Sequence, residues 1–135
     1  MKRKYKKKTP RQKIIVKLDT IVSKIIRDRD GACVQCGSVD QMTNGHIFSR
    51  SHYATRWDVS EDGNCHCQCW SCNCKHEYNS WEYYRWYITK FGQEKFDELY
   101  ARHHHVSKFK TFELEEMFKS LKTHTPKESH DMSIL

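Results

Sequence analysis

The chain has 135 residues, which is enough for one compact domain of ordinary size but not for two. Hydrophobic residues make up 37% of the chain, so the apolar core is modest and a bound metal would be a natural supplement to it. No apolar run is long enough to span a membrane, and no signal-peptide pattern opens the chain. These features predict a cytoplasmic protein with no membrane partner.

The positive charge is concentrated at the N-terminus. The formal net charge is +7, but residues 1–13 carry eight basic and no acidic side chains, while the remainder carries 16 basic and 17 acidic ones. Such an arm commonly neutralises phosphates without reading sequence, and a solvated tail with no specific role is the alternative. We expect a disordered arm over residues 1–11 that contacts nucleic acid through Lys2, Arg3, Lys4, Lys6, Lys7, Lys8 and Arg11.

Apolar residues at helical spacing predict a helix over about 11–29, which the turn-forming pair Asp30-Gly31 ends. The segment that follows has little periodicity and is rich in Cys, Gly, Asn, Asp and Ser. There we predict a short β-ribbon over about 42–48, a long loop over 49–63 and a helix that starts near Cys72.

The last part of the chain is predicted to be helical over 79–91, 93–102 and a final stretch after Thr111. In the first of these helices, one face holds Trp81, Tyr84, Ile88 and Phe91, with Tyr83 and Tyr87 off it. The run His103–His105 is expected on the surface. These elements are expected to form one domain over residues 12–122, followed by a flexible tail over 123–135.

Cysteine spacing gives the strongest chemical signal. Four of the seven cysteines form two CxxC pairs, Cys33–Cys36 and Cys69–Cys72, and four thiolates in that arrangement suit a structural Zn²⁺. In a reducing compartment, this pattern indicates metal binding rather than disulfides. The roles of the other three cysteines stay open, because any of them could substitute as a ligand: Cys65, Cys67 and Cys74.

His46 lies between the two CxxC pairs, in the string Asn44-Gly45-His46. Phosphodiester hydrolysis needs a base to deprotonate water and a cation on the phosphate, and an imidazole suits the base role at neutral pH. A single histidine after glycine is more often structural. Its position between two zinc knuckles favours the catalytic interpretation.

Three strings resemble the signature of the NinG (Rap) recombination nucleases of lambda-like phages: Gly45-His46-Ile47-Phe48-Ser49-Arg50, Thr55-Arg56-Trp57-Asp58, and Asn64-x-His66-x-Gln68-Cys69-x-x-Cys72-Asn73. A weaker similarity runs from about Ile21 to Leu121. The resemblance implies a mostly helical α+β fold, in which a zinc-clamped ββα-metal core of the HNH (His-Me finger) type is flanked by an N-terminal helix and C-terminal helices.

For function, the resemblance implies a metal-dependent, structure-specific DNA endonuclease that acts on branched recombination intermediates such as Holliday junctions and D-loops. By that pattern His46 would be the general base, Asn73 a ligand of a catalytic Mg²⁺ or Mn²⁺, and Asn64 the residue that steadies the loop carrying His46. Arg50 and Arg56 would contact phosphate. A homodimer in the host cytoplasm is expected on the same grounds.

The chain departs from the HNH pattern at Gly45, where many of these enzymes have a metal-binding aspartate. Asp58 and His66 are candidates to supply the missing ligand, with Asn44 behind them. His66 could equally bind a phosphate or pack against the knuckle. Without such a ligand, the chain would be a non-catalytic, zinc-stabilised DNA-binding recombination accessory protein. A zinc-binding protein–protein adaptor is a weaker alternative, which the basic arm disfavours.

Overall fold

A computed structural model of the chain describes residues 5–124. It is a mostly helical α+β fold with one two-stranded sheet, as predicted. The elements, in chain order, are α1 (Pro10–Asp30), β1 (Met42–His46), α2 (Tyr53–Arg56), β2 (Cys65–Cys69), α3 (Trp70–Tyr78), α4 (Trp81–Phe91), α5 (Gln93–His104) and α6 (Thr111–His124). No helix among the described residues is both long and apolar enough to cross a membrane.

The described residues fall into two compact units, and α1 contributes to both. The first unit contains residues 5–21 and 109–124. Its core holds Ile14 and Leu18 of α1 with Leu114 and Leu121 of α6, all buried. Their helical spacing is the apolar pattern that the sequence shows, and it explains why both segments form amphipathic helices.

The second unit, Val22–Lys108, contains the sheet and α2 to α5. Strands β1 and β2 are antiparallel, with Met42 opposite Cys69 and His46 opposite Cys65. Helix α3 begins at the residue after β2, so the chain forms two strands and a helix in direct contact. Cys69 caps this helix, because its sulfur accepts a hydrogen bond from the Cys72 N–H at 3.4 Å.

The predicted apolar face of α4 is wrong in part. Tyr83 and Tyr87 are the fully buried residues of this helix, whereas Trp81 is 61% exposed. The two phenol groups can be buried because each O–H donates to a backbone carbonyl: Tyr83 to Gly45 at 2.8 Å and Tyr87 to Asp62. The helix is therefore oriented by hydroxyl–carbonyl pairs as well as by its apolar surface.

Two further differences concern the segment between the cysteine pairs. Strand β2 lies between the predicted loop and the predicted start of the next helix, where we predicted no strand, and α2 forms one helical turn inside the predicted loop. Every residue of β2 is buried, on both faces. Cysteine does alternate with a polar residue along β2, but the strand is only five residues long, and His66 and Gln68 are buried with the cysteines rather than facing solvent.

Candidate functional site

The four predicted cysteine ligands form one cluster. The sulfur atoms of Cys33, Cys36, Cys69 and Cys72 all lie within 4.8 Å of one another. The Cys36 and Cys69 sulfurs are 3.6 Å apart, and a tetrahedral Zn²⁺ with bonds of about 2.3 Å needs sulfurs about 3.8 Å apart. The cysteines therefore fit a structural zinc, and the prediction that the CxxC pairs come together is confirmed.

Local backbone geometry favours the thiolate at Cys33, whereas burial and the neighbouring sulfurs raise the pKa of Cys72. Gly37, at φ +79°, closes the first turn by donating its N–H to the Cys33 carbonyl at 2.9 Å. Burial disfavours the Cys33 thiolate, but hydrogen bonds from backbone N–H groups outweigh burial and lower the pKa of this thiol to about 7. A lowered pKa favours the thiolate that a metal requires.

The remaining cysteines do not join the cluster. Burial raises the pKa of Cys65 to about 12, and burial together with the negative charge of Asp30 raises the pKa of Cys67 to about 11. Both are therefore neutral, buried thiols at physiological pH. Cys74 lies on α3 outside the cluster and is half-buried.

A cleft of about 640 Å³ lies between α3 and the segment formed by β1 and the residues that follow it. It brings together four of the candidate residues named from the sequence: His46, Asn73, Arg50 and Asn44. The full lining consists of Asn44, His46, Ile47, Ser49, Arg50, Asn73, His76, Glu77, Ser80 and Tyr84.

His46 is the last residue of β1, and its Nε2 lies 3.0 Å from the Arg56 carbonyl oxygen. Because a carbonyl only accepts hydrogen bonds, the hydrogen of the neutral ring is on Nε2 and the lone pair is on Nδ1. This contact fixes both the ring orientation and the tautomer. A histidine in this state can accept a proton at Nδ1.

The Arg56 carbonyl is itself held in place through α2. The hydroxyl of the buried Thr55 lies 3.2 Å from Nδ1 of His103 on α5, and the His52 ring stacks on the His103 ring at 3.9 Å between centroids. His103 is thus 6% exposed, and the prediction that it lies on the surface is wrong. Its neighbours His104 and His105 are exposed.

Asn64 holds the segment that follows His46. Its Oδ1 accepts the Phe48 N–H at 2.8 Å, and its Nδ2 donates to the Phe48 carbonyl at 2.9 Å. The Asn64 carbonyl also accepts the Ile47 N–H at 2.8 Å. Since Asn64 is fully buried and does not line the cleft, its role is to position the backbone rather than to touch a ligand.

The cleft also contains two polar residues that sequence reasoning missed, His76 and Glu77. They follow Asn73 by three and four residues, so all three side chains lie on one face of α3. Asn73 donates through Nδ2 to the Thr43 hydroxyl at 3.0 Å, which leaves its Oδ1 as an oxygen ligand. Helical spacing from Asn73 is the signal that could have identified the other two.

His76 has the hydrogen bonding that is typical of a metal-binding histidine. Its Nε2 donates to the Ile47 carbonyl at 2.9 Å, and its buried Nδ1 has no hydrogen-bond partner among the described residues. Metal-binding histidines commonly donate their other ring N–H to a carbonyl in this way. Burial lowers the pKa of His76, which favours the neutral ring that a metal needs.

The structure gives a physical reason for glycine before His46. A Cβ atom at Gly45 would lie 2.0 Å from Oε1 and 2.5 Å from Cδ of Gln68. Gln68 is fully buried and donates through Nε2 to Gln35 at 2.5 Å. The Gln68 side chain therefore occupies the space in which an aspartate side chain would begin.

Neither candidate for the missing ligand lines the cleft. Asp58 accepts the Ser60 N–H at 3.1 Å and pairs with Arg102 at 3.2 Å. In His66, Nε2 lies 2.7 Å from the Gly63 carbonyl and Nδ1 lies 3.2 Å from Arg29.

The His66 ring is 2% exposed and packs against aromatic rings, and burial lowers its pKa to about 4. This environment supports the packing interpretation of His66. Asn44 does line the cleft, and its Oδ1 has no hydrogen-bond partner among residues 5–124.

The predicted DNA-binding residues differ in their surroundings. Arg50 is exposed at the cleft, and the Arg56 guanidinium lies over the rings of Tyr53 and Trp57 at 5.7 and 5.4 Å. Arg11 donates to the Phe109 carbonyl at 2.7 Å, so it also has a structural contact. Of the arm, Lys6, Lys7 and Lys8 are exposed without regular structure, and Lys2, Arg3 and Lys4 lie outside the described residues.

Comparison with known protein families found a match to this chain. A family model described as "Bacteriophage Lambda NinG protein" matches residues 1–130, nearly the whole chain. No curated protein and no solved structure matches.

Proposed function

The chain belongs to the bacteriophage lambda NinG protein family, and on that premise we propose that it is a metal-dependent DNA endonuclease of the HNH (His-Me finger) type. Its substrates would be branched recombination intermediates, such as Holliday junctions and D-loops. One observation carries the proposal: a single polar cleft holds His46 at the end of a strand and Asn73, His76 and Glu77 on one face of the following helix.

The α3 residues are suited to hold a catalytic Mg²⁺ or Mn²⁺. Asn73 Oδ1 and the Glu77 carboxylate are oxygen donors, and His76 Nδ1 adds a nitrogen. A divalent cation bound there supplies positive charge to the phosphate and to the leaving oxygen. Glu77 would provide the carboxylate that is absent at Gly45.

His46 would be the general base. In the neutral ring, Nδ1 carries the lone pair and would take a proton from the attacking water. The Nε2–H group would keep its hydrogen bond to the Arg56 carbonyl. The imidazolium that forms would return its proton to solvent. Arg50, exposed at the same cleft, would neutralise a phosphate oxygen of the bound strand.

The basic arm and the expected homodimer complete the proposal. Lysines outside the cleft would bind phosphates without sequence preference, so DNA affinity should fall steeply with salt. Two copies related by a two-fold axis would present two clefts to the paired strands of a junction.

A suitable experiment compares a labelled four-way junction with a linear duplex of the same sequence, in Mg²⁺, Mn²⁺ or EDTA. The expected result is cutting of the junction in either metal and none in EDTA. Zinc content should be measured after EDTA treatment, so that loss of the structural metal is not mistaken for loss of the catalytic one. Equal cutting of both substrates would contradict structure specificity.

The alternative is a zinc-stabilised DNA-binding accessory protein without catalysis. Its support is the Gln68 side chain, which fills the space beside Gly45 where many HNH enzymes carry a metal-binding aspartate. This alternative predicts tight, salt-sensitive junction binding with no cutting in any metal.

A further inference from the structure

Trp70 is an exposed aromatic residue whose backbone is held in place on both sides. It is the first residue of α3 and is 60% exposed. Its backbone N–H donates to the Gln41 carbonyl at 2.9 Å. The neighbouring Cys69 and Cys72 belong to the sulfur cluster. A large aromatic surface that faces solvent on a fixed backbone offers contact area at little cost in conformational entropy.

The indole borders a shallow groove of about 380 Å³, lined by Gln41, Met42, Thr43 and Trp70. Gln41 has φ +50°, and it is the non-glycine residue with positive φ among residues 5–124. Sparsely populated backbone conformations of this kind concentrate at ligand-binding sites. In this conformation, the Gln41 carbonyl accepts the hydrogen bond from the Trp70 backbone N–H.

The groove adjoins the cleft that contains His46. Thr43 lines the groove, and Asn73 lines the cleft. The two residues are in contact, because the Thr43 hydroxyl accepts a hydrogen bond from Asn73 Nδ2. Trp70 precedes Asn73 by three residues, so the two side chains share one face of α3 and are about 4.5 Å apart along the helix axis. The face of α3 that carries Asn73 therefore continues to Trp70.

We propose that Trp70 stacks on an unpaired base of the DNA strand whose phosphate lies in the cleft. This inference rests on the proposed function and names its substrate class: DNA in which a base beside the scissile phosphate is unstacked. Because Trp70 and Asn73 are about 4.5 Å apart along the helix axis, the stacked base belongs to a nucleotide close to that phosphate.

The physical reason is the number of free base faces. Inside a duplex, both faces of a base are covered by neighbouring bases, so an indole has nothing to stack on. At a branch point, flap or gap, one face is free, and stacking on an aromatic side chain is favourable for any base. Trp70 would thus favour branched DNA without reading sequence.

The test compares the parental protein with Trp70→Ala, Trp70→Phe and the matched control Trp81→Ala. Trp81 is 61% exposed, is the first residue of α4 and lines neither the groove nor the cleft. Affinities are measured for a fork with unpaired bases and for a blunt duplex, without added Mg²⁺ or Mn²⁺. Zinc content and circular dichroism show that each variant is folded.

Trp70→Ala should bind the fork about 5-fold or more weakly and the duplex unchanged. Trp70→Phe should retain most of the fork affinity, and Trp81→Ala should match the parental protein. Equal weakening on fork and duplex would overturn the inference, as would a changed oligomeric state with unchanged fork preference, since Trp70 would then belong to a protein contact. Because binding is measured without the catalytic metal, failure to find cleavage would refute the nuclease proposal and leave this comparison valid.

Discussion

Replacing Gly45 with alanine should destabilise the protein by about 2–4 kcal/mol. The new Cβ would lie 2.0 Å from Gln68 Oε1, and also 2.5 and 2.7 Å from Cδ and Cγ. Rotation of the terminal amide alone therefore cannot relieve the overlap. The whole side chain must move, and this would break its hydrogen bond to Gln35.

The magnitude combines two effects. Forcing an extra carbon into a closely packed site costs about 1–3 kcal/mol, and loss of a buried hydrogen bond adds about 1 kcal/mol. Gln68 is fully buried, so solvent cannot compensate for the lost bond. The effect should depend on Gln68, which makes a double-mutant cycle the appropriate assay.

The free energy of unfolding is measured by urea denaturation at fixed excess Zn²⁺ for the parental protein, Gly45→Ala, Gln68→Ala and the double variant. With Gln68 shortened, the Gly45→Ala change should cost less than about 1 kcal/mol, so the coupling energy is at least about 1 kcal/mol. Additive costs, or a parental stability for Gly45→Ala, would refute the reasoning that Gln68 excludes a side chain at this position.

Three other predictions concern the sulfur cluster, Asn64 and His66. Chelation of the metal, or Cys69→Ser, should remove zinc and unfold the segment that contains β1 and β2, as measured by metal content and far-ultraviolet circular dichroism. Asn64→Ala should cost about 2–4 kcal/mol, because two buried backbone groups of Phe48 lose their partners, whereas the exposed Asn79→Ala should cost little. Since burial lowers the folded-state pKa of His66 to about 4, the unfolded chain takes up this proton first as pH falls. His66 should therefore contribute a loss of stability of up to about 1.4 kcal/mol per unit from about pH 6.5 towards pH 4. Because burial also lowers the pKa of His103 to about 4, His66→Gln should show a shallower slope rather than none, and a parental slope would contradict this.

Much of the fold follows from sequence patterns with strong physical causes. Helices α1 and α6 are amphipathic, so their apolar stripes are visible in the sequence. The CxxC pairs identify the sulfur cluster because two residues between cysteines allow both sulfurs to reach one metal. These features are local, so no knowledge of the tertiary structure is needed to predict them.

The features that were missed depend on contacts between distant residues. The orientation of α4 is determined by Tyr83, whose hydroxyl pairs with the Gly45 carbonyl, and no periodicity shows that pairing. His103 is buried because it meets Thr55 and His52 from another segment. The exclusion of a side chain at Gly45 by Gln68 is likewise visible only once the two strands are paired.

The most direct test of the central claim is the single-turnover cleavage rate of a four-way junction by His46→Ala, with Mg²⁺ or Mn²⁺ and saturating protein. His105→Ala, which changes an exposed histidine outside the cleft, is the matched control. The account predicts a rate about 10²- to 10⁴-fold below the parental rate for His46→Ala, with unchanged junction affinity and zinc content, and a parental rate for the control. Junction cleavage by His46→Ala at the parental rate would contradict the assignment of His46 as the base.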